Sequence, residues 1–219
     1  MNRGQLRARL RSAFLDDMAE PYLWADDLLN QLIDESQQEA VIRSRMLAAT
    51  IDLPLVAGQG SYPLPAGTLD ITRMRIPGAP SLSRTSVDEL DESGSWEQRQ
   101  GRPTHYAFTS VQFAGDGALV VYPAPAGAAV AKVAIQRLPA PLADENGEPE
   151  LPGHMHLFLL DWAAHRAFSL RDSDAEDEAR AAKHDAAFTR AFGERLDANA
   201  LRKRADKRPH RTKINPAWR

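Results

Sequence analysis

The 219-residue chain predicts an α+β fold: a helical bundle built from N- and C-terminal helices, an inserted antiparallel β domain and an extended C-terminal arm. Three observations predict it. Apolar residues recur at helical spacing near both ends of the chain, over 5–18, 24–47, 154–170 and 175–192. Between those stretches lie short β-branched or alternating runs separated by Gly- and Pro-bearing turns. Strands that do not alternate with helices point to antiparallel pairing. Finally, the last 19 residues carry eight Lys or Arg against Asp206 alone. That is a net +7, so the whole chain's −3 leaves −10 on the 200 residues before them.

The first helix sets Leu6, Leu10, Ala13, Phe14 and Met18 on one side and arginines on the other. Glu20-Pro21 ends it, because the residue before a proline is pushed out of the α region. The second carries Trp24, Leu28, Leu29, Leu32, Ile33, Ala40, Val41 and Leu47 at a period near 3.6. Asp26 and Asp27 near its start and Arg43 and Arg45 near its end suit the helix dipole. Strands are expected over 50–57, 61–64 and 69–76, then 104–108, 111–113, 119–122 and 130–137. Gly58-Gln59-Gly60, Pro65-Ala66-Gly67, Pro77-Gly78 and Gly115-Asp116-Gly117 punctuate them, the Asp-Gly step being a hairpin signal. In the middle, 86–90 reads as one helical turn and 94–102 as a loop carrying Trp96.

The stretch 154–170, HMHLFLLDWAAHRAFSL, is too short to span a bilayer, which needs about 20 apolar residues, and it reads as a buried helix. Leu157, Phe158, Leu160, Ala164 and Ala167 line one face. Leu159, Trp162, Ala163 and Phe168 crowd the next, so several partners are expected around it. Asp172 or Ser173 is placed to cap the last helix, and Gly193 to end it. The domains this implies are a bundle of 1–49 with 151–195, a β domain of 50–150 and a basic arm of 196–219.

An apolar content of 43% is enough for a real core. The chain has no cysteine, which removes disulfides, thiolate zinc sites and cysteine nucleophiles. The N-terminal stretch has no apolar core of signal-peptide length and reads as a mature helix. His154, His156, His165, Asp161 and His184 invite a metal proposal. On a helix, however, His154 and His156 point about 200° apart. Asp161 and His165 are four apart and read as a hydrogen-bonded pair at the bundle edge. Asp16-Asp17, Asp26-Asp27 and Asp88-Glu89-Asp91-Glu92 read as solvated surface. Gly58-Gln59-Gly60 lacks the strand–loop–helix context of a phosphate loop, and no serine sits in a Gly-x-Ser-x-Gly elbow. The expectation is therefore no catalytic residue, no metal, no cofactor and no enzyme. Trp96, Tyr106, Phe108, Phe113 and Tyr122 read first as a core face. The alternative, a stacking platform for single-stranded nucleic acid, has few basic residues to accompany it.

The order of elements resembles the head–tail adaptor (connector) proteins of tailed bacteriophages. The likeness rests on Glu20-Pro21-Tyr22-Leu23-Trp24, 28–40, Val56-Ala57-Gly58-Gln59-Gly60-Ser61-Tyr62-Pro63-Leu64 and 119–125. It continues in Glu150-Leu151-Pro152, His156, Leu160, Asp161-Trp162-Ala163, Arg166-Ala167 and Asp172, and so covers most of residues 1–195. The resemblance implies a structural virion protein of the neck, made in the bacterial host cytoplasm and not membrane-bound. It would form a homo-oligomeric ring of typically twelve copies beneath the portal protein. Such a ring joins the portal to a tail or nozzle protein and surrounds the packaged double-stranded DNA. It also implies a portal-binding arm made of Arg202, Lys203, Arg204, Lys207, Arg208, Arg211, Lys213, Ile214, Pro216 and Trp218, with Trp218 as an anchor. A tail-completion or stopper protein, and a nucleic-acid-binding protein using the arm, stand as alternatives.

Overall fold

A computed structural model describes residues 1–92, 94–109, 118–171, 176–197 and 200. The expected strand at 111–113, the Gly115-Asp116-Gly117 turn, the caps Asp172 and Ser173, and the arm 201–219 lie outside the described residues. The chain divides into two compact units, one helical (Met1–Ala48 with Arg137–Arg195) and one β-rich (built on Ala49–Gln136). The α+β class holds, with five α-helices and mixed sheets among the described residues.

In the helical unit α1 spans Arg3–Leu10. Asn2 opens it through a capping box, its side chain accepting from the Gln5 amide at 2.9 Å while the Gln5 side chain accepts from the Asn2 amide at 3.1 Å. A π-helical turn, Arg11–Leu15, continues it. The helix then ends at Leu15, three residues short of the sequence expectation at Met18, with Asp16 in the left-handed region (φ 56°) as its cap. The second helix, α2, spans Asp26–Ser44 and buries Leu29, Leu32, Ile33, Ala40 and Val41, the stripe its periodicity predicts.

The third helix of this unit is α4 (His156–Phe168), entered through a 3-10 turn at Gly153–Met155. It buries Leu159, Leu160, Ala163, Ala164, Ala167 and Phe168, but Leu157 and Phe158 face solvent. The expectation of a helix buried on all its apolar sides is corrected there. The last helix, α5 (Glu178–Phe192), is capped by Asp177, which accepts from the Arg180 amide at 2.9 Å. The cap is thus neither Asp172 nor Ser173, whereas Gly193 ends the helix at φ 84°, as its position predicts. Segment 138–150 is tied to this unit. The Gln37 side chain donates to the Ala140 carbonyl at 3.1 Å, the Leu142 amide to Asp34 at 3.0 Å, and the Arg3 amide to the Gly147 carbonyl at 2.9 Å.

The β-rich unit contains β1 (Ala48–Leu55), β2 (Ser61–Pro63), β3 (Thr68–Arg75), β4 (Ser83–Thr85), α3 (Val87–Glu92), β5 (Gln100–Gly101), β6 (His105–Thr109), β7 (Ala118–Tyr122), β8 (Ala124–Pro125) and β9 (Ala129–Arg137). Sheet orders are β1-β9-β3, β2-β7-β6-β4 and β5-β8. Strand β7 pairs antiparallel with β2 and β6, with Tyr106 opposite Val121. The expectation of purely antiparallel pairing fails at two places, since β4·β6 and β5·β8 are parallel. Between β4 and β6 lie α3 and the turn at Trp96–Gln98, chain enough for the crossover that a parallel pair requires. Strict alternation sends Ala131, Val133 and Ile135 of β9 inward, where they meet Leu53, Leu55, Ile71, Met74, Tyr106, Leu119 and Val121. No helix of the described residues is long and apolar enough to cross a membrane.

Candidate interaction surfaces

The histidines settle into helix packing. His184 of α5 donates from Nδ1 to Asp161 Oδ1 at 2.8 Å, and its ring stacks on Phe168 at 6.0 Å and meets Phe14 at 5.5 Å. His165 Nδ1 donates to the Ala181 carbonyl at 3.0 Å and its ring lies 5.0 Å from Trp162. The expected Asp161–His165 pair does not form, because α5 offers each of them a partner across the helix interface. His156 is buried and donates from Nε2 to the Leu151 carbonyl at 2.8 Å, while His154 is exposed. Among the described residues no three His, Asp or Glu converge as a metal set.

One carboxylate departs from the solvated reading. Asp17 is 7% exposed and forms a buried ion pair with Arg11. The same carboxylate accepts from the Leu23 amide at 2.9 Å and the Trp24 amide at 3.3 Å, while Arg11 also donates to Asp26 at 2.7 Å. That last hydrogen bond holds the Asp26 carboxyl below its ordinary range. The clasp ties segment 16–24 to the first two helices. Trp24 turns inward, edge-on to Phe168 at 5.9 Å, and the Arg11 guanidinium lies 4.0 Å over the Tyr22 ring. Met18, Tyr22 and Leu23 are left pointing outward. Sequence reasoning missed this arrangement. Its only signal is a charged residue, Arg11, directly after the apolar Leu10 and facing Asp17 six residues on.

Arg43, read from sequence as a partner of the helix dipole, also has a packing role. Its guanidinium pairs with Glu39 at 2.8 Å, donates to Thr189 at 2.9 Å and lies 4.9 Å from Trp162 and 5.0 Å from Phe188.

In the β-rich unit the aromatic residues do not share one face. Tyr106 and Phe108 are buried in the core, as a core face requires, and burial pushes the Tyr106 phenol up. Tyr122 and Trp96 are half-buried outside that core, edge-to-face at 6.5 Å. There the Trp96 indole donates to Asp91 at 2.7 Å and Arg99 donates to the Tyr122 hydroxyl at 3.1 Å. Phe113 lies outside the described residues, as do all ten residues expected to form the portal-binding arm.

No curated protein matches the chain. A solved structure described as the neck of an empty GTA particle, computed with C6 symmetry, is 14% identical. The match covers 90% of this chain and 94% of that chain at a TM-score of 0.30. A family model described as SU10 adaptor protein matches residues 1–213, which bears out the likeness to adaptor proteins read from the sequence. The chain belongs to the SU10 adaptor protein family.

Proposed function

We propose that the chain is a structural head–tail adaptor of a tailed bacteriophage. It would sit in the neck of the virion as a ring beneath the portal, join the portal to a tail or nozzle protein, and carry no catalytic activity. The observation that carries this reading is the family match, which runs over residues 1–213 and so takes in both units and most of the basic arm. The charge division supports it. A body of net −10 around the channel of a twelve-copy ring repels the passing DNA, so the genome slides without adhering. The last 19 residues of the arm, with net +7 and an apolar end at Ile214, Pro216 and Trp218, are built for a partner surface offering carboxylates and an apolar pocket, here assigned to the portal.

The test is binding of the full chain and of a variant ending at residue 195 to immobilised portal rings from the same phage. The full chain is expected to bind and the truncated one to lose at least tenfold in affinity, with Trp218→Ala between them. Undiminished binding without the arm contradicts the assignment of the arm. A nucleic-acid-binding protein would instead hold duplex DNA with an affinity that falls steeply with salt and disappears with the arm.

A further inference from the structure

Of the chain's asparagines, Asn146 alone precedes a glycine. An Asn-Gly step is where the following backbone nitrogen most readily attacks the asparagine side chain, because a residue without Cβ lets that nitrogen swing toward it. Asn146 is exposed in a turn of segment 138–150, open to the water and hydroxide that the reaction uses.

Two sets of hydrogen bonds meet at this step. On one side Asp144 holds the nitrogen. The Gly147 amide donates to the Asp144 carboxylate at 2.9 Å and to its carbonyl at 3.1 Å, and the Asn146 amide donates to the same carboxylate at 2.8 Å. A nitrogen engaged in this way keeps its proton, and the closed turn fixes the backbone torsion through which it would have to rotate to reach Asn146 Cγ.

On the other side, the carbonyls flanking Asn146 start α1. The first amides of a helix have no partner within it. Here the Arg3 amide donates to the Gly147 carbonyl at 2.9 Å and the Gly4 amide to the Glu145 carbonyl at 3.1 Å. One turn on, Arg7 donates to the Glu145 carboxylate at 2.7 Å. The approach is so close that a Cβ on Gly4 would stand 3.0 Å from that carboxylate. The spacing of the Glu145 and Gly147 carbonyls is thus matched to successive amides of α1.

We propose that Asn146 is a deamidation site gated by Asp144, and that its conversion to isoaspartate detaches the start of α1. When the turn opens, the Gly147 nitrogen gives its proton to hydroxide and attacks Asn146 Cγ. The bond from Cγ to the side-chain nitrogen breaks, and that nitrogen leaves as ammonia, taking a proton from water. Water then opens the resulting succinimide. Hydrolysis at the former backbone carbonyl gives isoaspartate and hydrolysis at Cγ gives aspartate, with no oxidant or reductant in either route. Isoaspartate carries the main chain through Cβ and Cγ, which adds one atom between the Glu145 and Gly147 carbonyls. The two then no longer match the Arg3 and Gly4 amides, and the helix that buries Leu6 and Leu10 loses its fixed start. The proposal does not rest on the adaptor reading and holds for the chain with or without a portal.

The test is ageing of the purified full chain at mildly alkaline pH beside a synthetic peptide of residues 142–149, with deamidation at Asn146 read by peptide mapping and mass spectrometry. The folded chain is expected to react at least about tenfold more slowly than the peptide, because reaction waits on local opening. Asp144→Ala should approach the peptide rate, whereas Asp144→Asn, whose side-chain oxygen still accepts, should stay closer to the parent. Parent and peptide reacting at one rate, or Asp144→Ala reacting no faster than the parent, overturns the gate. If circular dichroism shows Asp144→Ala to be unfolded, the parent decides alone: its Gly147 amide should be protected from hydrogen exchange by about the same factor as Asn146 from deamidation. A Gly147 amide that exchanges freely overturns the gate. For the consequence, hydrogen exchange over 3–10 is compared between the isoaspartate form purified from aged chain and Asn146→Asp, which has the new charge without the added atom. Faster exchange in the first and parent-like exchange in the second is expected, and parent-like exchange in the isoaspartate form overturns the detachment.

Discussion

The two units are held together by different means. In the β-rich unit the core is almost wholly apolar, and its ion pairs lie outside it: Lys132–Asp52 at 3.0 Å, with side chains 49% and 61% exposed, and the half-buried Arg84–Asp70 at 2.8 Å. In the helical unit charged groups are part of the interior: Arg11 with Asp17, and Arg43 with Glu39 between the rings of Trp162 and Phe188. An apolar interior stabilises without specifying much beyond volume, whereas a buried ion pair fixes which backbone groups sit where. The unit that leaves Met18, Tyr22 and Leu23 outward is thus the one that places charges inside.

That contrast can be broken by mutation. The largest expected effect is in the β-rich core. Ile135→Ala removes a fully buried side chain and leaves a cavity, so urea unfolding should show a loss of about 4 kcal/mol. Next comes Asp17→Ala, which strands the buried Arg11 guanidinium and frees the Leu23 and Trp24 amides. A loss of about 3 kcal/mol is expected, with faster hydrogen exchange confined to 16–24. A loss below 1 kcal/mol would show that the clasp is dispensable. Asp52→Ala should change stability by less than about 0.5 kcal/mol, since exposed pairs contribute little.

A pH profile sharpens the same comparison. The Arg137 guanidinium, and after it the Ala140 amide, hold the Glu150 carboxyl below its ordinary range. A carboxyl depressed in the folded state contributes stability above its unfolded value, about 4.3, and loses it as pH falls through the folded value. Thermal melts of Glu150→Gln should therefore show a shallower decline below about pH 5 than the parent chain, with the parent more stable at pH 7. Identical acid limbs would remove Glu150 from the account.

Much of this architecture was legible in the sequence, for identifiable reasons. The stripe Leu29, Leu32, Ile33, Ala40, Val41 predicts α2 because 3.6-residue spacing is a direct consequence of helix geometry. The alternation of Ala131, Val133 and Ile135 marks β9 for the corresponding reason in strands. What escaped the reading depends on partners distant in the chain. Leu157 and Phe158 are as apolar as Leu159 and Leu160, and only the arrangement of α1, α2 and α5 decides which of the four remain in water. The parallel pairing of β4 with β6 involves three residues of β4, too few to carry a period. Asp177 caps α5 from within an acidic run in which several residues could have served. Among candidate site residues, the arm declares itself as a charge asymmetry, whereas Asp17 looked like any surface carboxylate until Arg11 and two amides converged on it.

The most direct test of the central claim is sedimentation velocity of the purified chain, alone and mixed with the portal ring of the same phage at moderate salt. The adaptor reading predicts a monomer or small oligomer alone, and a portal complex that saturates when the two proteins are present in equal copies. A chain that leaves the portal boundary unshifted at every ratio contradicts it.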